Sequence, residues 1–234
     1  MTKSASQKVE FTIEDKQVTV FPAHTLHAPV IYLNTFTKTI EDDLWLYLSK
    51  QQCPDFSLVS IGNLDWDHNM APWAIPPISK DDTPCTPGAD EYLTLLQTQI
   101  IPRAESHIKG TPVWRGLAGY SLAGLFAVYA SFRTTQFSRI ASMSGSLWFP
   151  GFKEYVFEHT WERKPSCLYL SLGSKEAKTS NPFLRVVRQN TEDIEAYLKE
   201  QHIPTTFVLN PGNHFVNALE RTAAGIQWIL NYQS

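Results

Sequence analysis

Cysteine is scarce in this chain, and positive charge is not in excess. The 234 residues include three cysteines, Cys53, Cys85 and Cys167, far apart and odd in number. They form neither a disulfide framework nor a metal knuckle, so reduced thiols are expected. Cys167 lies in an apolar run and reads as core, whereas Cys53 and Cys85 fall in loops without the surroundings that activate a thiol. Lys and Arg number 20 against 23 Asp and Glu, for a net charge of −3. The basic residues are scattered rather than striped, which excludes the electrostatic footprint of a nucleic-acid binder. No apolar run approaches the ~20 residues that cross a bilayer, and residues 1–10 lack the apolar centre of a signal peptide. No membrane partner and a cytoplasmic location are the expectations.

What is present reads as alternating strands and helices within one domain spanning residues 1–234, a length suited to one α/β unit. Residues 8–21 alternate apolar and polar around Glu14-Asp15-Lys16 and predict a β-hairpin at a sheet edge. The short apolar runs at 28–35 and 56–63 predict strands buried on both faces of a parallel sheet. Leu44, Trp45 and Leu48 between them predict a crossover helix over 40–50. Residues 64–90 form a long irregular stretch with five prolines, the length of a functional loop. A helix is expected at 89–108, strands at 137–143, 167–172 and 206–209, and helices at 182–200 and 215–232. No repeat or linker interrupts this order.

Residues 114–126 place Ser121 between small residues where an apolar strand gives way to an apolar helix. This is the sequence form of a nucleophile elbow, in which Gly119, Ala123 and Gly124 let strand and helix approach while the serine projects from the sheet. Ala123 replaces the second glycine of the usual Gly-x-Ser-x-Gly. A strand-to-helix turn with an idle serine is the bland alternative.

A serine hydroxyl needs a general base, and in open α/β sheets reactive groups gather beyond the carboxyl ends of the strands. His214 meets that rule, in the turn Asn210-Pro-Gly-Asn-His214 between the last strand and the last helix. His24, His27, His107, His159 and His202 read as surface histidines, and His68 lies in the long loop without a setting for a base. Glu176, after the strand at 167–172, completes the chain order serine, acid, histidine. Asp193 and Glu195 are rivals on a helix, and a serine and histidine acting without a strong acid is a further alternative. For the oxyanion, the backbone N–H of Leu122 is one candidate donor, and Thr35 or its neighbour, at the end of an early strand, is the other. Trp66, Trp73, Trp148 and Phe149 fall in segments expected at the strand tips. They are candidate walls of an aromatic substrate cleft, with plain core the alternative. The spacing of Asp65, Asp67 and His68 fits no specific metal pattern, so neither metal nor cofactor is expected.

These segments together resemble the putative-esterase branch of the α/β-hydrolases, related to esterase D and enterochelin esterases. The resemblance rests on residues 30–33, 66–73, 99–103, 117–126 and 140–148 and on Gly212-Asn-His214. It implies an α/β-hydrolase fold with a mostly parallel sheet of about eight strands, helices on both faces and no large cap domain. It also implies a nucleophile at Ser121 and a base at His214, with Glu176 a looser match. Ala123 and Asn213 depart from the pattern. The expected activity is hydrolysis of a small-molecule carboxylic ester through an acyl-enzyme. Cleavage of a siderophore trilactone is the alternative within enzymes, and a non-catalytic binding protein on the same fold is the alternative outside them. A homo-oligomer is compatible with the sequence.

Overall fold

The computed structural model describes residues 8–36, 40–51 and 53–233; residues 1–7, part of the opening segment considered above, lie outside it. The alternation of Val9, Phe11 and Ile13 becomes strand β1 (Val9–Ile13), which pairs antiparallel with β2 (Lys16–Phe21) at one edge of the sheet. The continuous apolar runs become β3 (Val30–Asn34) and β4 (Ser57–Gly62), buried at every position. Such strands can only sit inside a sheet covered on both sides. Helix α1 (Ile40–Ser49) joins them, and β3 and β4 pair in parallel.

The remaining strands are β5 (Arg115–Tyr120), β6 (Arg139–Met143), β7 (Cys167–Gly173) and β8 (Thr205–Asn210). The eight strands run in the order β1-β2-β4-β3-β5-β6-β7-β8, parallel from β4 to β8. This is the mostly parallel α/β-hydrolase sheet expected from the sequence. Register matters for function. Asn34 lies opposite Gly119, Tyr120 opposite Met143, and Gly173 opposite Asn210. The segments that follow β3, β5, β6, β7 and β8 therefore leave the sheet along one edge.

Helices cover both faces. On one, α1 and α8 (Ala218–Asn231) pack over Ile31, Leu58, Met143 and Tyr169. On the other, α5 (Leu122–Arg133) is buried from Leu122 to Ser131, as a helix apolar all round must be. Beside it lie α3 (Ala89–Leu95) and α7 (Val187–Glu200). The helix expected over 89–108 is broken into α3, a wider π turn at Leu96–Ile100 and α4 (Ile101–Glu105), where Pro102 cannot donate to the ladder. A short helix, α2 (Trp66–Asn69), opens the long loop, and the loop is pinned by paired bonds between Ile75 and Cys85, both 3.1 Å. Helix α6 (Phe152–Glu158), which follows Pro150 and Gly151, lies in a stretch to which the sequence assigned no element. Among the described residues no helix is long and apolar enough to cross a membrane.

The β5–α5 junction fixes the tightest packing. A Cβ on Gly119 would overlap the backbone and Cβ of Ala123, and one on Gly124 would lie 3.0 Å from Gly119 O. Gly119→Ala should therefore destabilise the protein by about 1–3 kcal/mol. A lower urea midpoint with unchanged slope would register this, and a wild-type midpoint would contradict it.

Candidate active site

Ser121 is the residue between β5 and α5, and its backbone is forced to φ 60° and ψ −125°. Its N–H donates to Met143 O on the neighbouring strand at 3.1 Å. Its carbonyl accepts from Gly124 and Leu125 in the first turn of α5 and from Ser146 N–H at 3.0 Å. The main chain is thus bound on both sides. The side chain projects over the strand ends, with Oγ 3.4 Å from Ser146 Oγ.

Glu176 sits in the turn after β7, and His214 in the turn after β8. Their side chains meet, with His214 Nδ1 donating to Glu176 Oε2 at 2.8 Å. That bond assigns the proton to Nδ1 and leaves Nε2 as an acceptor. Oε1 receives Ser144 Oγ at 2.8 Å, Gly173 N–H and Arg221 Nη1 at 3.3 Å. Tyr120, the last residue of β5, donates its hydroxyl to the His214 carbonyl at 2.7 Å, which ties the histidine turn to the serine strand. Burial works to raise the Glu176 carboxyl. The bonds from His214, Gly173 and Ser144 overcome it and hold the group below its ordinary value. Asp193 and Glu195 lie on α7 away from this turn, where Asp193 pairs with Lys153 and Glu195 with Lys199.

Ser121 and His214 lie on the wall between two lobes of one cleft, which also share Trp66 and Phe215. One lobe, about 470 Å³, runs under the long loop past Ile75, Asp81, Asp82, Ser146 and Trp148. The other, about 370 Å³, is mostly apolar, with Leu33, Phe36, Ile40 and Tyr120 among its walls. Among the described residues no Lys or Arg lines either lobe. Cys85 borders the larger lobe, but burial first, then Asp67 and Asp82, push its thiol up to about 11, so it is no rival nucleophile.

Several expectations need correction. Trp66 and Trp148 line the cleft, but Trp73 and Phe149 do not. Phe149 is 1% exposed, and Trp73 stands edge-on to it while donating Nε1 to Pro150 O at 2.9 Å, so both are packing residues. Thr35 borders the apolar lobe, but its N–H is spent on Ile61 O at 2.8 Å and its hydroxyl points to the same oxygen. It cannot serve as an oxyanion donor. His107, read as a surface residue, is half-buried beside Phe11. His68 is turned to Thr86 Oγ1 at 2.8 Å and borders neither lobe. Among the described residues no three metal-ligating side chains converge. Phe36, the neighbour of Thr35 that the sequence left open, borders the apolar lobe, while the sequence reading missed Ser146, Phe215 and Arg221. Only Phe215, a phenylalanine next to His214, carried a signal that could have been used.

The fold and the serine turn define an α/β-hydrolase. Solved structures share the architecture. An IroE-like serine hydrolase from Shewanella oneidensis superposes with a TM-score of 0.78 at 18% identity, covering 96% of this chain and 79% of the other. Siderophore hydrolase EstB from Aspergillus nidulans gives 0.71 at 17% identity, covering 100% and 98%. In sequence, the uncharacterized protein YbbA of Bacillus subtilis (strain 168) is 25% identical over 179 residues, 74% of this chain and 72% of its own. The family described as "Putative esterase" matches residues 18–211, and the chain belongs to it. It is an ester hydrolase.

The carboxylate gives a pH test. Its lowered folded value means that near pH 4.5, its ordinary value, the folded state binds fewer protons than the unfolded state. Its stabilisation is therefore full above that pH and lost as pH falls through the folded value. The stability gap between wild type and Glu176→Gln should shrink from neutral pH to about pH 3. A gap constant with pH in urea titrations would contradict the assignment.

Proposed function

We propose that this protein is a metal-independent serine esterase in which Ser121 is the nucleophile, His214 the general base and Glu176 the acid that orients it. The observation that supports this most directly is the 2.8 Å bond from His214 Nδ1 to the buried Glu176 carboxylate. It leaves Nε2 free to take a proton at a cleft that Ser121 also borders. Ser121 Oγ attacks the ester carbonyl carbon while Nε2 accepts the hydroxyl proton. The tetrahedral oxyanion takes hydrogen bonds from Leu122 N–H, at the first position of α5, and from Phe36 N–H, the neighbour of the engaged Thr35. Collapse breaks the bond to the alcohol oxygen, which leaves with the proton from His214. Water then loses a proton to His214 and attacks the acyl carbonyl, and collapse breaks the bond to Ser121 Oγ, which takes the proton back from His214 as the acid leaves.

The cleft favours an uncharged carboxylic ester with an apolar acyl or aromatic part, housed in the lobe of Leu33, Phe36 and Ile40. Hydrolysis of an iron-chelator trilactone is the second reading, favoured by the likeness to proteins named as siderophore hydrolases. Asp67, Asp81 and Asp82 on the larger lobe weigh against it, because an anionic iron chelate would meet negative charge without a cation to offset it.

Ser121→Ala and His214→Ala should each lower hydrolysis of p-nitrophenyl butyrate by about 10⁴-fold or more. A fluorophosphonate probe should label Ser121 in the folded wild type. Absence of any adduct would favour a non-catalytic binding protein. Comparison of kcat/KM across short-chain esters, long-chain esters and a ferric catecholate trilactone tests the substrate. The neutral esters are expected to lead, and a leading trilactone would reverse the order of the two readings.

A further inference from the structure

Among the described residues Arg221 is the cation that touches the acid at the back of the site, and nothing in the Ser-His-acid scheme calls for it. It lies in the first turn of α8 and is 2% exposed. Its guanidinium is not paired simply with one acid. Nη1 lies 3.3 Å from Glu176 Oε1, 3.2 Å from Ser144 Oγ and 3.3 Å from Tyr120 OH, and Nη2 donates to Pro211 O at 2.8 Å. Each partner belongs to a different support of the site. Glu176 holds His214, Ser144 also holds Glu176, Tyr120 holds the His214 carbonyl, and Pro211 begins the turn that carries His214.

The surroundings are built to admit this fork. A Cβ on Gly173 would lie 3.0 Å from Arg221 Nη1 and closer still to Gly212 O and Asn213 O. Glycine there lets the acid turn, the histidine turn and the guanidinium meet. The arrangement also has a cost that stability alone does not explain. Arg221 Nε is buried without a hydrogen-bond partner, and burying both charges of a pair costs more than burying apolar groups of the same size. Such uncompensated polar groups concentrate where a fold serves function.

We propose that Arg221 is a positioning residue of this esterase: its planar fork locks the Glu176 carboxylate and the His214 turn into one register at the cleft wall that His214 shares with Ser121. The inference rests on the triad reading above. Oε1 is occupied by Arg221, Ser144 and Gly173, so Oε2 alone is left for the imidazole. Three donors on Oε1 restrict the carboxylate, and with it the direction in which Oε2 holds the imidazole. Lysine would keep the charge but not the fork, since one ammonium cannot replace two nitrogens set at a fixed angle.

The test is a kinetic double-mutant cycle with Glu176→Gln, on p-nitrophenyl butyrate, with folding checked by circular dichroism. Arg221→Met should lower kcat by about 10- to 100-fold with KM changed less than about twofold, because substrate does not touch Arg221. Arg221→Lys should recover part of the loss. In the Glu176→Gln background the same Arg221 substitutions should cost little more, since Arg221 acts through Glu176. Wild-type kcat in Arg221→Met, or a loss that simply adds to that of Glu176→Gln, would overturn the proposal. If Arg221→Met does not fold, Arg221→Lys decides, a severalfold loss that vanishes in the Glu176→Gln background supporting the proposal and wild-type kcat overturning it. Full activity in Glu176→Gln alone would instead remove Glu176 from the triad, a separate failure.

Discussion

Ser121 is held at φ 60°, a conformation that a residue with a Cβ adopts at a cost of about 1–3 kcal/mol, and the geometry of the cleft follows from keeping it there. The chain must turn from β5 into α5 with almost no room, because Gly119 and Ala123 are in close approach. Three hydrogen bonds to the Ser121 carbonyl and one from its N–H fix the result. One of the three comes from Ser146, in the turn after β6. That turn contains a second residue at positive φ, Ser144 at 44°. Two strained residues at neighbouring strand tips thus constrain each other. Ser144 aims its hydroxyl at Glu176, and the turn it begins returns to close over Ser121.

The carboxylate is the other fixed point. Glu176 is buried, and a buried charge is tolerable only when its lone pairs are met. Here its two oxygens divide their duties, Oε1 toward the protein frame and Oε2 toward His214. The division turns an electrostatic requirement into an orientational one. The donors that lower the pKa of Glu176 also leave a single direction in which it can hold an imidazole. Tyr120 links this half of the site to the serine strand through the His214 carbonyl.

The parts of this arrangement legible in the sequence are those set by local pattern. Period-two alternation gave the hairpin, continuous apolar runs gave the inner strands, and the serine turn showed itself in the small residues around Ser121. Chain order then brought Glu176 and His214 to the same sheet edge, since parallel strands all end on one side. What could not be read depends on which of several similar residues a tertiary contact selects. Trp66 and Trp73 stand seven positions apart in one loop, yet the first borders the cleft and the second is tied to Pro150. Thr35 looked free until β4 was seen to offer the Ile61 carbonyl beside it. Arg221 sits on an amphipathic helix, where an arginine reads as a solvated residue, and only the convergence of four strand ends explains its burial.

The two lobes of the cleft have different origins, and this bears on how substrate choice is encoded. The apolar lobe is made by the frame itself, from the tip of β3, the end of β5 and the start of α8, so its shape is coupled to the sheet and to the serine turn. The larger lobe is made chiefly by the long loop, through Ile75, Ile78, Asp81 and Asp82, held to the body by the Ile75–Cys85 bridge. Loops accept changes of length and composition that strand ends do not. One lobe is therefore walled by residues that also hold the fold together, and the other chiefly by residues of a loop. Trp66 and Phe215 border both lobes and so belong to the loop, the histidine turn and the frame at once. A change in the loop lobe therefore leaves the sheet frame untouched, whereas a change at Tyr120 removes the bond that ties the His214 turn to β5.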